Sequence, residues 1–196
     1  GEVIGDTVTI PASITKIMRI KRGVLQMKET IDFSALQEFL ENQRSTEYYS
    51  VHGLEHWNQV EYNGLLLAPH TGADILVVRL FSLFHDSRRL NDHGDPKHGE
   101  RGAVLARELR NKMFELSDEQ FEWLCIACEK HTHTHLTGNP TIDTCFDADR
   151  LDLGRVGILP HPAKMATVYG AKLAQKLQEE KVSPYHVREW LSKLEV

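Results

Sequence analysis

From residue 31 onward the sequence predicts an all-α fold, a single helical bundle that follows an irregular N-terminal extension. Three observations predict it: apolar residues recur at helical spacing, capping patterns open several segments, and the strand signal after residue 30 is weak. A chain of 196 residues has the usual length of one domain. We therefore assign residues 1–30 to the extension and residues 31–196 to the domain.

The first 30 residues differ from the rest in composition. Residues 1–17 are rich in Thr, Ile and Val and contain Gly5 and Pro11, which indicates irregular structure or short strands. From Met27 the sequence is more typical of the beginning of a folded domain.

The first two predicted helices are bounded by local signals. Ser34 and Gln37 form a potential capping box, and apolar residues follow at helical spacing. The second helix, over about residues 54–68, is expected to end at Pro69 and Gly72.

The third predicted helix, over about residues 73–86, is the most apolar segment of the chain. Apolar residues lie nearly all round it, so we expect it to be the buried central helix. It ends in His85 and Asp86, and polar groups on a buried element need partners.

The remaining helices also have recognisable starts. Asp95 and Pro96 predict an N-cap followed by proline at the first helical position, which places His98 in the first turn. Ser117 and Gln120 form a second capping box. These helices are predicted over about residues 96–115, 118–131, 142–153, 163–180 (with a potential break at Gly170) and from Ser183-Pro184 to the end.

Composition and charge restrict the partners and the compartment. The formal net charge is −5, whereas nucleic-acid binders usually carry an excess of basic residues. We therefore expect no nucleic acid duplex as a partner. A few local cations still suffice for a small phosphorylated substrate.

Three cysteines indicate a reducing compartment rather than a disulfide scaffold. No apolar run approaches ~20 residues and no signal peptide is evident, so we expect a cytoplasmic protein without a membrane partner; a homo-oligomer stays open.

Five stretches carry side chains that can ligate a metal ion: residues 52–56, 84–86, 98–102, 131–133 and 147–152. Adjacent helical residues point about 100° apart, so His85 and Asp86 can share an ion only if other helices supply further ligands. Imidazole mixed with carboxylate favours a divalent Mn, Fe, Co, Ni or Zn ion over Ca, and Mg is also compatible.

These motifs resemble those of the HD-domain superfamily of metal-dependent phosphohydrolases. HWNQV at residues 56–60 is similar to its first histidine motif, LFHD at 83–86 to its central pair, and DADRLD at 147–152 to the motif with its last ligand. The resemblance covers roughly residues 45–160. It implies that one ion is ligated by His56, His85, Asp86 and Asp149, and that Asp86 also orients or deprotonates the attacking water.

The resemblance extends to three further positions. Many members have a lysine three residues after the Asp of the pair; here Arg89 stands there, and its guanidinium can still neutralise a phosphate oxygen. His98 and His131 resemble the additional histidines of two-metal members, which implies a second metal ion or a phosphate-binding role. Some two-iron members are oxygenases. The Gly-Tyr-Pro motif of cyclic-dinucleotide phosphodiesterases is absent after His131.

Structural interpretations compete at several positions. His85-Asp86 alone is more often a helix-end ion pair, but together with His56 and Asp149 the set favours a metal. His52 shares a helix face with His56 and either contacts substrate or begins the helix. Arg101 either binds substrate or is a solvated charge.

A zinc site at Cys125, Cys128 and His131 is a weaker interpretation, because buried free cysteines commonly serve as small apolar residues. His133 and His135 are expected to be loop residues.

The sequence therefore predicts a phosphoric ester hydrolase that cleaves a nucleotide or another small phosphorylated metabolite with metal-activated water. Asp86 and Arg89 are the catalytic candidates, and His52 and Arg101 are the substrate-binding candidates. A two-iron oxygenase and a catalytically inactive metal- or nucleotide-binding module are the alternatives.

Overall fold

The computed structural model describes residues 16–21, 24–29, 31–44 and 50–194. In the predicted extension, β1 (Lys16–Lys21) and β2 (Val24–Glu29) form an antiparallel hairpin. The sequence predicts either irregular structure or short strands in this extension, and its described part forms short strands. Met27, where we expect a folded segment to begin, lies inside β2 opposite Met18. Residues 1–15 lie outside the described residues.

The all-α class is confirmed for the described residues from 31 to 194. Eight α-helices follow one another there, joined by loops and short 3₁₀ turns. None of these described helices combines the length and the apolar character that a membrane crossing requires. The helices are α1 (Phe33–Asn42), α2 (Leu54–Thr71), α3 (Ile75–Phe84), α4 (His98–Leu109), α5 (Asp118–Lys130), α6 (Pro140–Arg150), α7 (Val168–Glu179) and α8 (Val187–Ser192).

Helix α3 is the buried centre of the bundle, as its composition predicts. It packs against α2, α5 and α6 and also contacts α1 and α4. Val77, Leu80, Phe81 and Phe84 are fully buried. Burial of each such side chain stabilises the fold by about 1.5–3 kcal/mol. The residues that follow α3 are therefore presented from a well-packed element.

Capping side chains determine where two of the helices begin. The predicted capping box of Ser117 and Gln120 is confirmed at α5, where each side chain accepts a hydrogen bond from the backbone amide of the other residue. At α1 the cap is Asp32, whose carboxylate accepts from the amide of Ala35. The prediction that Ser34 caps this helix is wrong.

Helix α4 begins two residues later than the sequence predicts, at His98. Asp95 does not cap a helix starting at Pro96, because its carboxylate is bound by the guanidinium of Arg101 and accepts from the amide of Leu90. His98 is consequently the first residue of α4, and its side chain projects from the N-terminal end of this helix.

Two predicted helix breaks are also wrong. Pro69 lies inside α2, which runs on to Thr71 and ends at Gly72 with a left-handed φ of 77°. Helix α7 continues through Gly170. A Cβ atom at Gly170 would lie 2.2 Å from Oδ2 of Asp147, so this glycine permits close packing rather than a break.

Candidate metal centre

Seven side chains with metal-ligating atoms meet at one end of the bundle: His52, which precedes α2, and six that come from five helices or their ends. Every position that the sequence predicts as a ligand is among them. The six are His56 in the first turn of α2, His85 and Asp86 directly after α3, His98 at the start of α4, His131 directly after α5, and Asp149 near the end of α6.

The first ligand group consists of His56, His85, Asp86 and Asp149. The Nε2 atoms of His56 and His85 lie 3.0 Å apart. Oδ1 of Asp149 lies 3.3 and 3.9 Å from these two nitrogens, and Oδ2 of Asp86 lies 3.6 and 3.7 Å from them. Two donor atoms that each bind one ion at about 2.1 Å lie at most about 4.2 Å apart, so the donors of His56, His85 and Asp149 fit a single divalent cation. Oδ2 of Asp86 lies within the same limit of both nitrogens.

The second ligand group consists of Asp86, His98 and His131. The Nε2 atoms of His98 and His131 lie 2.9 Å apart. Oδ1 of Asp86 lies 3.2 Å from the first of these nitrogens and 3.9 Å from the second. Asp86 therefore belongs to both groups, with Oδ2 facing the first and Oδ1 facing the second. The donor chemistry suits one ion in each group.

Backbone carbonyls orient three of the four imidazoles. Nδ1 of His85 donates to two carbonyls in the last turn of α3, and Nδ1 of His131 donates to the carbonyl of Cys128. The last carbonyls of a helix have no partner within it, so they are available to a residue just beyond its end. Nδ1 of His98 donates to the carbonyl of Asp95. Because a carbonyl can only accept, each neutral ring carries its proton on Nδ1 and presents the lone pair of Nε2.

His56 has a carboxylate partner instead. Its Nδ1 donates to Oδ2 of Asp152 at 2.7 Å. Asp152 is fully buried and is held by two nitrogens of Arg188, from α8, at 2.7 and 2.9 Å. Sequence reasoning assigned no role to either residue, and the one available signal was the place of Asp152 in the ligand-rich stretch 147–152. A carboxylate behind a ligating imidazole fixes the ring and raises its basicity.

Burial and neighbouring charges set the protonation of the centre. Burial lowers the pKa of His85 to about 3, so this ring is neutral at pH 7. Burial also lowers the pKa of His98. Burial alone would raise the pKa of Asp86, but the adjacent His85 and the hydrogen bond from His52 outweigh it and hold that pKa well below its usual range.

The pKa of His56 shifts in the opposite direction. Burial would lower it, but the carboxylates of Asp149 and Asp152 outweigh burial and raise the pKa above 6.5. Without a metal ion, a proton on Nε2 of His56 can bridge the 3.0 Å gap to His85. A metal ion would replace that proton, which couples metal binding to proton release.

His52 and Arg89 flank Asp86, and both line a cleft above the ligand groups. Nδ1 of His52 donates to Oδ2 of Asp86 at 2.7 Å. Nη1 of Arg89 lies 3.4 Å from Oδ1 of Asp86 and 3.2 Å from Nδ1 of His98, and Nη2 donates to the carbonyl of His93. The two predicted residues thus lie on either side of the carboxylate that both groups share.

Arg101 lies outside this cleft. Its guanidinium binds the carboxylate of Asp95 and the carbonyl of Arg88, and it is not among the described residues that line the cleft. It braces the loop between α3 and α4, which carries Arg89 and leads to His98. A contact between Arg101 and substrate remains a prediction.

The cysteines do not contribute to the centre. Cys125, Cys128 and Cys145 are buried, and burial raises the pKa of each thiol. Among the described residues none of them belongs to a ligand group, and His131 meets the backbone carbonyl of Cys128 rather than its sulfur. His133 lies in the loop after α5, as expected.

Asp86, His98, His131 and Asp149 line an open cleft of about 590 Å³, whereas His56 and His85 are not among its described lining residues. Its walls come from the loop after α5, the end of α6 and the 3₁₀ turns that follow α6. A cleft of this volume suits a small molecule.

Comparison of the sequence with models of known protein families, with curated proteins and with solved structures found no match. The helical architecture and the buried His and Asp side chains are compatible with an HD-type fold, and those side chains could hold a metal ion.

Proposed function

We propose that this chain is a metal-dependent phosphohydrolase of the HD-domain type. Its substrate is a phosphate ester of a nucleotide or of another small phosphorylated metabolite. The observation that carries the proposal is the position of Asp86 at the floor of the cleft, where each carboxylate oxygen faces a pair of histidine Nε2 atoms. The resemblance of the motifs around His56, His85 and Asp149 to HD-domain motifs supports the same assignment.

The two ligand groups would hold one or two divalent transition-metal ions. Such an ion would supply hydroxide at neutral pH and polarise the phosphoryl group. Asp86 contributes orientation above all: it is ionised, it is held by His52, and its low pKa makes it a weak base. Its carboxylate therefore positions the attacking water and accepts a proton only as the water is activated.

Arg89 supplies positive charge at the same place. Its guanidinium is held by the carbonyls of Asn91 and His93 and lies beside Oδ1 of Asp86, on the wall of the cleft. A preorganised cation there stabilises the charge that develops on a phosphoryl oxygen in the transition state.

The test is a phosphate-release screen. The full chain is stripped of metal, reloaded separately with Mn²⁺, Co²⁺, Ni²⁺ and Mg²⁺, and offered nucleotides and sugar phosphates. We expect release with at least one transition metal. Tight nucleotide binding without phosphate release under every condition would overturn the proposal in favour of an inactive binding module.

Asp86→Ala is the decisive variant. We expect loss of both metal binding and hydrolysis, with the far-UV circular dichroism of a helical protein retained. Asp118→Ala removes an exposed carboxylate on α5, outside both ligand groups, and serves as the matched control. Undiminished hydrolysis by Asp86→Ala would exclude this mechanism.

The sharing of Asp86 by two ligand groups favours a second candidate, a two-iron oxygenase on the same scaffold. Metal analysis of anaerobically purified protein separates the two functions. Two irons per chain together with oxygen consumption on addition of an organic substrate would favour the oxygenase, and phosphate release without oxygen consumption would favour the hydrolase.

A further inference from the structure

The cleft wall concentrates positive charge in a protein whose net charge is −5. Its described residues include four cationic side chains, Arg89, Arg150, Arg155 and Lys164, against two carboxylates. Those carboxylates belong to Asp86 and Asp149, and both face the ligand groups. The positive charge of the wall therefore remains available to a substrate once the carboxylates are occupied by an ion.

Arg150 is anchored mainly by neutral groups, and its one ion pair is long. Its Nη1 and Nη2 atoms donate to the carbonyls of His135 and Thr134, which are neutral groups. Nη1 also forms a long ion pair with Oδ1 of Asp147, at 3.4 Å. Asp147 is already occupied, because it accepts hydrogen bonds from the amides of Ala166 and Thr167.

Arg155 follows the same pattern. Its Nε and Nη1 atoms donate to the carbonyls of Val51 and Asp152. The carboxylate of Asp152 lies 3.9 Å from Nη1 and is bound by Arg188 and by His56. Both arginines are thus held mainly by carbonyls, and their ion pairs with Asp147 and Asp152 are long, at 3.4 and 3.9 Å. Each guanidinium can therefore still attract a second anionic group.

Lys164 lies at the end of a 3₁₀ turn on the rim of the cleft. Its side chain is exposed and makes no hydrogen bond or ion pair with any of the residues that the structure describes. The ammonium of Lys164 has no partner among the described residues and shares the rim with two arginines. A second negative group on the bound molecule would therefore form a favourable electrostatic contact with it.

Few of the residues in the wall are apolar. Leu153 and Ala163 are its apolar members among the described residues, and none of the described lining residues is Phe, Tyr or Trp. Stacking on such rings is a common way to hold a nucleobase. The large aromatic rings are thus missing from the described wall, and its four cations are the groups best suited to select a substrate.

We infer that the substrate carries a second anionic group besides the phosphate ester that is cleaved, and that Arg150, Arg155 and Lys164 bind it. The substrate class is thus a bisphosphorylated small molecule. The inference rests on the proposed function, because it takes the ligand groups as the place where the first phosphate binds.

The test compares matched substrates on the metal-loaded full chain: adenosine 5′-monophosphate with adenosine 3′,5′-bisphosphate, and fructose 6-phosphate with fructose 1,6-bisphosphate. We expect kcat/KM to be higher for the bisphosphate of each pair by about tenfold or more, as one additional charge-assisted contact supplies. In Lys164→Met this ratio falls, because one of the three cations that bind the second anionic group is lost. Lys172→Met removes an exposed lysine of α7 that does not line the cleft and leaves the ratio unchanged.

Equal kcat/KM values within both pairs, or a ratio that Lys164→Met does not change, would overturn the inference while leaving the hydrolase intact. If no substrate releases phosphate, the proposed function fails, and equilibrium dialysis of the same four compounds still decides the inference. Preferential binding of the bisphosphates that Lys164→Met reduces supports it, and equal binding refutes it.

Discussion

Nδ1 of His56 donates to Oδ2 of Asp152 at 2.7 Å, and the two residues stand 96 positions apart in the chain. Arg188 donates hydrogen bonds to both carboxylate oxygens of Asp152. A residue of α8 therefore influences the first ligand group through Asp152 and His56. This contact makes the orientation of His56 depend on how the C-terminal helix packs.

Asp152→Ala should weaken metal binding about 10–100-fold, because the ring of His56 loses the partner that fixes its orientation. Asp152→Asn retains an oxygen acceptor and should lose less. Isothermal titration with Mn²⁺ or Co²⁺ measures both variants, and thermal unfolding of the metal-free proteins reports any loss of stability separately. An affinity unchanged in Asp152→Ala would show that this contact does not position His56.

At metal concentrations that fill both ligand groups, His98→Ala should reduce the number of bound ions from two to one, because His98 belongs to the second ligand group alone. Equilibrium dialysis followed by elemental analysis counts the ions. His93→Ala, which truncates an exposed histidine in the loop before α4, is the matched control and should still bind two. Two ions in the His98→Ala protein would contradict the assignment of the second group.

The ligand positions could be predicted from the sequence because each of them lies in a short motif of neighbouring residues. His85 and Asp86 are adjacent, and their place at the end of the most apolar helix marks them as buried polar groups that need partners. The pairing of Asp152 with His56 and Arg188 depends on the bend after α6 and on the docking of α8, which no local pattern encodes.

The start of α4 shows the same limit. Asp95-Pro96 is a sound local signal for a helix start, yet the carboxylate of Asp95 is used by Arg101 and by the amide of Leu90. A tertiary contact thus overrides a capping propensity, and it moves the start of α4 to His98, a member of the second ligand group.

Gly99→Ala should damage both stability and the second ligand group. A Cβ atom there would lie 2.0 Å from the carbonyl oxygen of Cys128 and 3.2 Å from Cε1 of His131, so α4 would have to move away from the end of α5. We expect a loss of about 1–3 kcal/mol in the free energy of unfolding and weaker binding of the second ion. Thermal unfolding and the ion count measure the two effects.

Gly94→Ala is the control for this substitution, because a Cβ atom at Gly94 meets no heavy atom within 4 Å. It should change the unfolding temperature little and leave the ion count unchanged. Equal stability of the two alanine variants would mean that close packing of α4 on α5 is not required.

The stabilisation conferred by metal should grow as the pH rises from 6 to 8. The pKa of His56 is raised above 6.5 by Asp149 and Asp152, so in the metal-free protein His56 contributes stability that is fully present below pH 6.5 and is lost as the pH rises through the raised pKa. Metal must displace that proton, so its apparent affinity falls about tenfold for each pH unit below this pKa. His85, with its pKa lowered to about 3, stays neutral across this range and adds no pH dependence.

The measurement is the difference in unfolding temperature between metal-loaded and metal-free protein at pH 6, 7 and 8. Asp152→Asn removes one of the charges that raise the pKa of His56, and it should move the transition to lower pH. Metal stabilisation that declines with rising pH would contradict the assignment of this proton to His56.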